Sequence, residues 1–169
     1  MNVVLNATPL IYLGKKRRIN LLRLVFERMI IPPEVEEEIM KLDKSPEAVQ
    51  LRGSIQEGWI VVEHPSGDKA GQIAGLFPEI DEGEAAVIAL AVERQMENVV
   101  IDDAEARVAA EYFRLKVYGT LYVMLEAYKR NVFKSKAEVR SIVDNMLRRG
   151  FYLSTEVYAR FLFLLDKIR

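Results

Sequence analysis

Short apolar runs alternate along this chain with longer stretches in which apolar positions recur every three or four residues. The first run, VVL at 3–5, is apolar without interruption, as a strand buried on both faces requires. Comparable runs follow in RMII (28–31), WIVVEH (59–64), NVVID (98–102) and KVYG (116–119). Between them the spacing predicts helices. Thr8 as N-cap and Pro9 as first helical residue open one that Gly14 ends. INLLRLVF (19–26) is a second, short one. Pro32 and Pro33 halt the second strand, and EVEEEIMKL (34–42) places Val35, Ile39 and Leu42 on one face. SPEAVQLRGSIQEG (45–58) opens on a Ser-Pro cap, whereas PSGDKAGQIAG (65–75) reads as loop or weak helix. DEGEAAVIALAVERQ (81–95), DAEARVAAEYFRL (103–115) and LYVMLEAYKRN (121–131) are helical, the last capped by Thr120. Two further helices, 135–149 and 154–168, are capped by Ser135 and Ser154 and joined at Gly150. Strands that alternate with helices imply a parallel sheet covered on both faces.

Composition narrows the class. The chain has 169 residues, enough for one ordinary domain with a sizeable core. Cysteine is absent, which excludes disulfides and thiolate metal sites and fits a reducing cytosol. Without a leader-like segment or a membrane-length apolar run, a soluble cytoplasmic protein is expected. The net charge of −1 is not that of a protein gripping long duplex nucleic acid. Charge is nevertheless segregated. KKRR at 15–18 and the region from Lys129 to Arg149 are basic, whereas EVEEE (34–38) and EIDEGE (79–84) are acidic.

Open parallel sheets place their sites at the carboxyl ends of strands. Asn6 follows the first strand, and Asp102 and Asp103 follow the fourth. Glu38 lies in the helix after the second strand, and Glu84 lies in the first turn of the helix before the fourth. All are oxygen donors, a set that suits Mg²⁺ or Mn²⁺. Taken singly, each acid has an ordinary role: Asp103 as an N-cap, Glu84 on a helix dipole, Glu38 on a solvated face. His64, the lone histidine, stands at a strand end and carries no catalytic pattern. The aromatics Tyr112, Phe113, Tyr118, Tyr122 and Tyr128 have core spacing. The apolar tail FYLSTEVYARFLFLL either packs on its own domain or forms a surface for a partner.

Together VVLNATPLIYLGK, IPPEVEEEI, DEGEAAVIALA, VIDDAEARVAAEYFRLKVYGTLYVMLEA and GFYLSTEVYARFL resemble the PIN-domain family, and within it the prokaryotic PIN-like branch of unknown function. The resemblance covers nearly the whole chain. It implies a three-layer α/β/α sandwich with a central parallel five-stranded sheet, a nuclease domain over 1–134 and a C-terminal helical extension over 135–169 packed on it. It also implies Mg²⁺- or Mn²⁺-dependent hydrolysis of single-stranded RNA. Many relatives are homodimers, and many are toxins silenced by a small antitoxin.

The family's first acid falls on Asn6. The second falls on Glu38, with Glu37 its rival; the third falls on Glu84. The fourth falls on Asp102 first and Asp103 second. Thr8 and Thr120 correspond to the family's hydroxyls near the site. Asn6 departs from the pattern and admits three roles: a neutral ligand in a working nuclease, the mark of a weakened one, or a cap for the first helix. The rival functional class is a non-catalytic module that keeps the fold and binds RNA or a partner protein. A phosphotransfer site built on the Asp102–Asp103 pair leaves Glu38 and Glu84 unexplained.

Overall fold

In a computed structural model that describes all 169 residues, five parallel strands form one sheet in the order β3-β2-β1-β4-β5. They are β1 (Asn2–Leu5), β2 (Arg28–Ile31), β3 (Ile60–Val62), β4 (Asn98–Val100) and β5 (Lys116–Tyr118). The register pairs Val4 of β1 with Ile30 on one side and Val99 on the other. Val3, Val4, Leu5, Met29, Ile30, Ile31, Val99 and Val100 are each at most 1% exposed. Their apolar runs are therefore continuous because both sheet faces are covered. Each such side chain contributes about 1.5–3 kcal/mol by leaving water. Ten helices accompany the strands, giving the three-layer α/β/α sandwich that the pattern and the resemblance imply. Strand order reverses between β1 and β4, the place where open sheets of this kind form a crevice.

The chain divides into two compact units, Met1–Thr120 and Leu121–Arg169. In the first, α1 (Ala7–Lys15) begins earlier than the Thr8–Pro9 pair suggests. Asn6, in extended backbone, is the N-cap, and its Oδ1 accepts from the Ala7 amide at 2.8 Å. Pro9 falls inside the first turn, where its missing N–H costs nothing. Gly14 does not end α1 either; the chain leaves the helix at Lys16 and Arg17, the latter at φ 53°. Gly14 serves the packing of α1 on α4 (Pro46–Gln56): a Cβ there would lie 2.6 Å from Glu47 Cβ and 2.7 Å from Glu47 Cα.

A 3₁₀ turn (Ile19–Leu21), α2 (Leu22–Val25) and α3 (Pro33–Met40) complete the β1–β3 half. The 65–75 stretch contains a true helix, α5 (Lys69–Leu76). Asp68 at its N-cap makes no side-chain cap bond, and only Ile73 is buried, so the local signal is weak. α6 (Glu82–Glu93) is buried from Glu84 through Ala91, which explains its run of small apolar residues. Asp103 caps α7 (Ala104–Tyr112) through a 2.9 Å bond from the Ala106 amide. Thr120 opens α8 (Thr120–Lys129).

The second unit holds most of α8, then α9 (Lys136–Arg148) and α10 (Thr155–Lys167). Ser135 and Ser154 accept the cap bonds expected of them, from Glu138 and Val157. Gly150 takes φ 99°, a conformation that suits glycine, and turns the chain between the two helices. Val139, Val143, Met146, Phe161 and Leu165 are buried, and Tyr158 donates a hydrogen bond to Asp144. No helix is long and apolar enough to cross a membrane.

Two glycine substitutions test this packing. Gly14→Ala drives a methyl into the α4 backbone and lowers unfolding free energy by about 1–3 kcal/mol. Gly53→Ala, in α4 with open space around it, raises stability by about 0.5–1 kcal/mol. Urea denaturation of both variants reads the difference.

Candidate active site

The backbone ladder of the inner strands continues past their carboxyl ends and fixes the residues there. The Asn6 amide donates to the Val100 carbonyl at 3.0 Å, and the Ile101 amide donates to the Tyr118 carbonyl at 2.9 Å. Asn6, Asp102 and Asp103 are thereby held at the carboxyl end of the sheet where strand order reverses.

Glu84 arrives at this place from α6. It is the third residue of that helix and forms a reciprocal capping box with Asp81. The Glu84 amide donates to Asp81 Oδ1 at 2.8 Å, and the Asp81 amide donates to Glu84 Oε2 at 3.0 Å. Glu84 is only 7% exposed. Burial pushes its carboxyl up to about 7, and the negative charges of Asp81 and Asp103 push the same way. The Asp81 backbone bond and the Asn6 side chain, which faces Glu84, favour the ionised form but do not prevail. Glu38, on an exposed part of α3, is also raised, first by partial desolvation and then by Asp81, with Lys41 opposing. Glu84 is thus coupled to Asp81, Asp103 and Asn6, and Glu38 is coupled to Asp81. Glu37 is exposed on α3, and Thr8 stands half-buried in the first turn of α1.

Asp102 is arranged differently from its neighbour. Its Oδ1 accepts from the Thr120 amide at 2.8 Å and its Oδ2 from Thr120 Oγ1 at 2.6 Å. Although the residue as a whole is partly exposed, its carboxylate is enclosed, and burial raises its pKa against the Thr120 bonds and the nearby Arg107 charge. Thr120 is fully buried and spends its hydroxyl on Asp102. Gly119 makes the pairing possible, because a Cβ there would lie 2.9 Å from Asp102 Oδ1.

No group of three or more carboxylates is gathered in a metal-holding arrangement. The donor chemistry still fits a hard divalent cation. The side-chain groups that would ligate are oxygens, and the neighbouring acids add to the burial that raises the Glu84 pKa, a strain that a cation relieves. Caps use only part of each carboxylate's capacity of about four lone pairs.

Sequence reading passed over two residues of this neighbourhood, Asp81 and Arg107. Asp81 was legible from the D-x-x-E spacing to Glu84, the signature of a capping box. Arg107 was legible as the residue four positions after Asp103, on the same helix face.

A five-stranded parallel α/β/α sandwich with acidic groups at the carboxyl ends of its inner strands is the class that this geometry defines. A family model of unknown function described as a PIN domain matches residues 2–167. The chain therefore belongs to the PIN-domain family, a family of nuclease folds that generally use divalent metal ions. Comparison with curated proteins returned no match.

Glu84 makes stability depend on pH. Its folded pKa lies above the unfolded value, so its stabilising contribution is complete below about pH 4.5 and is lost as pH rises through about 7. Glutamine keeps the capping box without the charge. In metal-free buffer, Glu84→Gln is therefore more stable than wild type at pH 8 by about 2–3 kcal/mol, and the two converge near pH 4.5. Thr120→Val keeps the amide bond to Asp102 Oδ1 but leaves Oδ2 enclosed without its hydroxyl donor, and costs about 1–3 kcal/mol, most of which Thr120→Ser restores. Denaturant titrations across pH check both.

Proposed function

We propose that this protein is a Mg²⁺- or Mn²⁺-dependent ribonuclease that hydrolyses phosphodiesters of single-stranded RNA. The observation that carries this reading is the coupling of the buried Glu84 carboxyl to Asp81, Asp103 and the Asn6 side chain near the place where strand order reverses, with Glu38 coupled in turn to Asp81. Membership of the PIN-domain family supports the nuclease class and points to RNA as substrate.

Glu84, Asp103 and Glu38 are the residues proposed to hold the cation. A divalent ion held by them supplies activation of water and neutralisation of charge on the phosphate. Asp102, its oxygens given to Thr120, is assigned a positioning role: it fixes the end of β4 and so the neighbouring Asp103. Asn6 contributes no charge. Its Oδ1 caps α1, and its side chain steadies the ionised form of Glu84. An aspartate at this position would add a further negative charge beside the buried Glu84 carboxyl. The amide therefore lowers the cost of the metal-free fold while weakening the attraction for a cation.

A second reading is a PIN-fold module that binds RNA or a partner protein without cleaving it. The absence of three carboxylates in ligating position favours it. Mn²⁺ distinguishes the two. On the ribonuclease reading, Mn²⁺ raises the melting temperature of the wild type at pH 7.5 and supports cleavage of short single-stranded RNA. Asp103→Asn abolishes both effects. Asp102→Asn keeps the thermal response but slows cleavage by about 10–100-fold, as loss of a supporting partner does. Asn6→Asp melts lower than wild type in EDTA and gains more on addition of Mn²⁺. A wild type with neither thermal response nor cleavage supports the binding module.

A further inference from the structure

Arg107 is a half-buried cation beside the acidic group, and neither the proposed metal site nor the helix caps employ its charge. Its amide donates to the Asp103 carbonyl at 3.0 Å in α7. Residues four apart share a helix face, so the Arg107 side chain rises on the same side as Asp103. Nη1 donates to the Ile101 carbonyl at 2.9 Å, which anchors the guanidinium to the end of β4. It also lies against bare backbone: a Cβ on Gly119 would sit 3.3 Å from Nη1 and 2.9 Å from Asp102 Oδ1. Gly119 is not in the left-handed region, so its missing side chain serves space rather than conformation.

An arginine carries five N–H donors in a rigid fork. The Ile101 bond is the one hydrogen bond that this side chain makes. Structural arginines beside acids ordinarily close a forked pair with a carboxylate. Arg107 feels the charge of Asp102, yet neither Asp102 nor Asp103 comes within the 4.0 Å of an ion pair. The Asp102 oxygens are turned to Thr120, and Asp103 Oδ1 is turned to Ala106. None of the remaining Arg107 nitrogens is sealed from solvent without a partner. The result is a fixed positive charge with open donors, at the rim of the acidic group and pinned through one nitrogen.

We propose that Arg107 binds the substrate phosphodiester. Nη1 stays on the Ile101 carbonyl while the open edge of the guanidinium donates to the non-bridging phosphate oxygens beside Asp103. The fork matches a phosphate where a lysine ammonium gives only a point charge. The assignment rests on the ribonuclease reading, and it names a substrate contact that the acids cannot supply.

The test uses the full chain and a fluorescein-labelled oligouridylate, with Ca²⁺ replacing the cleavage-supporting ion, in anisotropy titrations over a salt series. Calorimetry with Mn²⁺ on each variant runs in parallel. Arg107→Gln binds the RNA about 10-fold more weakly, the loss of a charged hydrogen-bonded contact. Its log–log salt slope falls by about 0.7, one phosphate contact on a single strand, while Mn²⁺ binding persists. Arg107→Lys restores the slope but not the affinity. If Arg107→Gln is folded and binds RNA with the wild-type affinity and slope, Arg107 merely braces Ile101 and the proposal is overturned. If Arg107→Gln fails to fold, Arg107→Lys decides: an affinity equal to wild type sinks the forked contact, and a loss with unchanged slope upholds it. A wild type that binds neither Mn²⁺ nor RNA removes the ribonuclease reading and this contact with it, a result distinct from failure of Arg107 alone.

Discussion

Burial of the Glu84 carboxyl beside other acids governs how the carboxyl end of this sheet is built. Glu84 is placed there by two requirements that cannot be separated. α6 must enter the core almost at once, because its residues from Ala85 through Ala91 are buried. Its first turn must also be capped, and Glu84 is the capping residue that closes the box with Asp81. A carboxylate so placed loses most of its hydration and meets Asp81 and Asp103 without a neutralising cation of the chain close enough to offset them. That cost is tolerated in a fold whose strands are wholly buried and whose inner helix contributes a continuous apolar surface. Carboxyls held above their ordinary pKa lower the stability of the fold at neutral pH, and shifts of this kind are concentrated at functional sites.

Asn6 then reads as part of the same balance. An amide at the end of β1 gives the fold a cap and a neutral neighbour for Glu84. Its position on the ladder with Val100 is fixed by backbone bonds and is indifferent to whether the side chain is amide or acid. Geometry at this position is therefore retained, and what changes is charge. The Asp102–Asp103 pair divides labour in a similar way. Asp102 is spent on Thr120, whereas Asp103 caps α7 and its charge acts on Glu84.

Much of the fold was legible from sequence because its signals are local. Short runs rich in apolar and β-branched residues marked the five strands, and Ser45, Ser135 and Ser154 announced their helices. The family and the α/β/α architecture were likewise readable. The failures have physical causes. Pro9 is compatible with more than one position in a first turn, so it could not fix the start of α1, which the strand end and Asn6 decide. α5 was obscured by Gly71 and Gly75, its missing cap bond and its single buried residue; packing against α6 overrides weak propensity. Thr120 carries the composition of a cap, but its hydroxyl answers to Asp102, eighteen residues away in the chain. The different surroundings of Asp102 and Asp103 depend on the β4–β5 ladder and on Gly119, neither of which is written in the local spacing.

The decisive experiment on Glu84 as a cation ligand is calorimetry of Mn²⁺ binding to the wild type across pH 5–8, run in buffers of different ionisation enthalpy. Metal ligands must be deprotonated, so binding to a carboxyl held at about 7 must release protons below that pH. The expected result is affinity that rises through about pH 7, with proton release that fades above it. Absent binding, or binding with pH-independent affinity and no proton release, would contradict the claim that Glu84 belongs to a cation site.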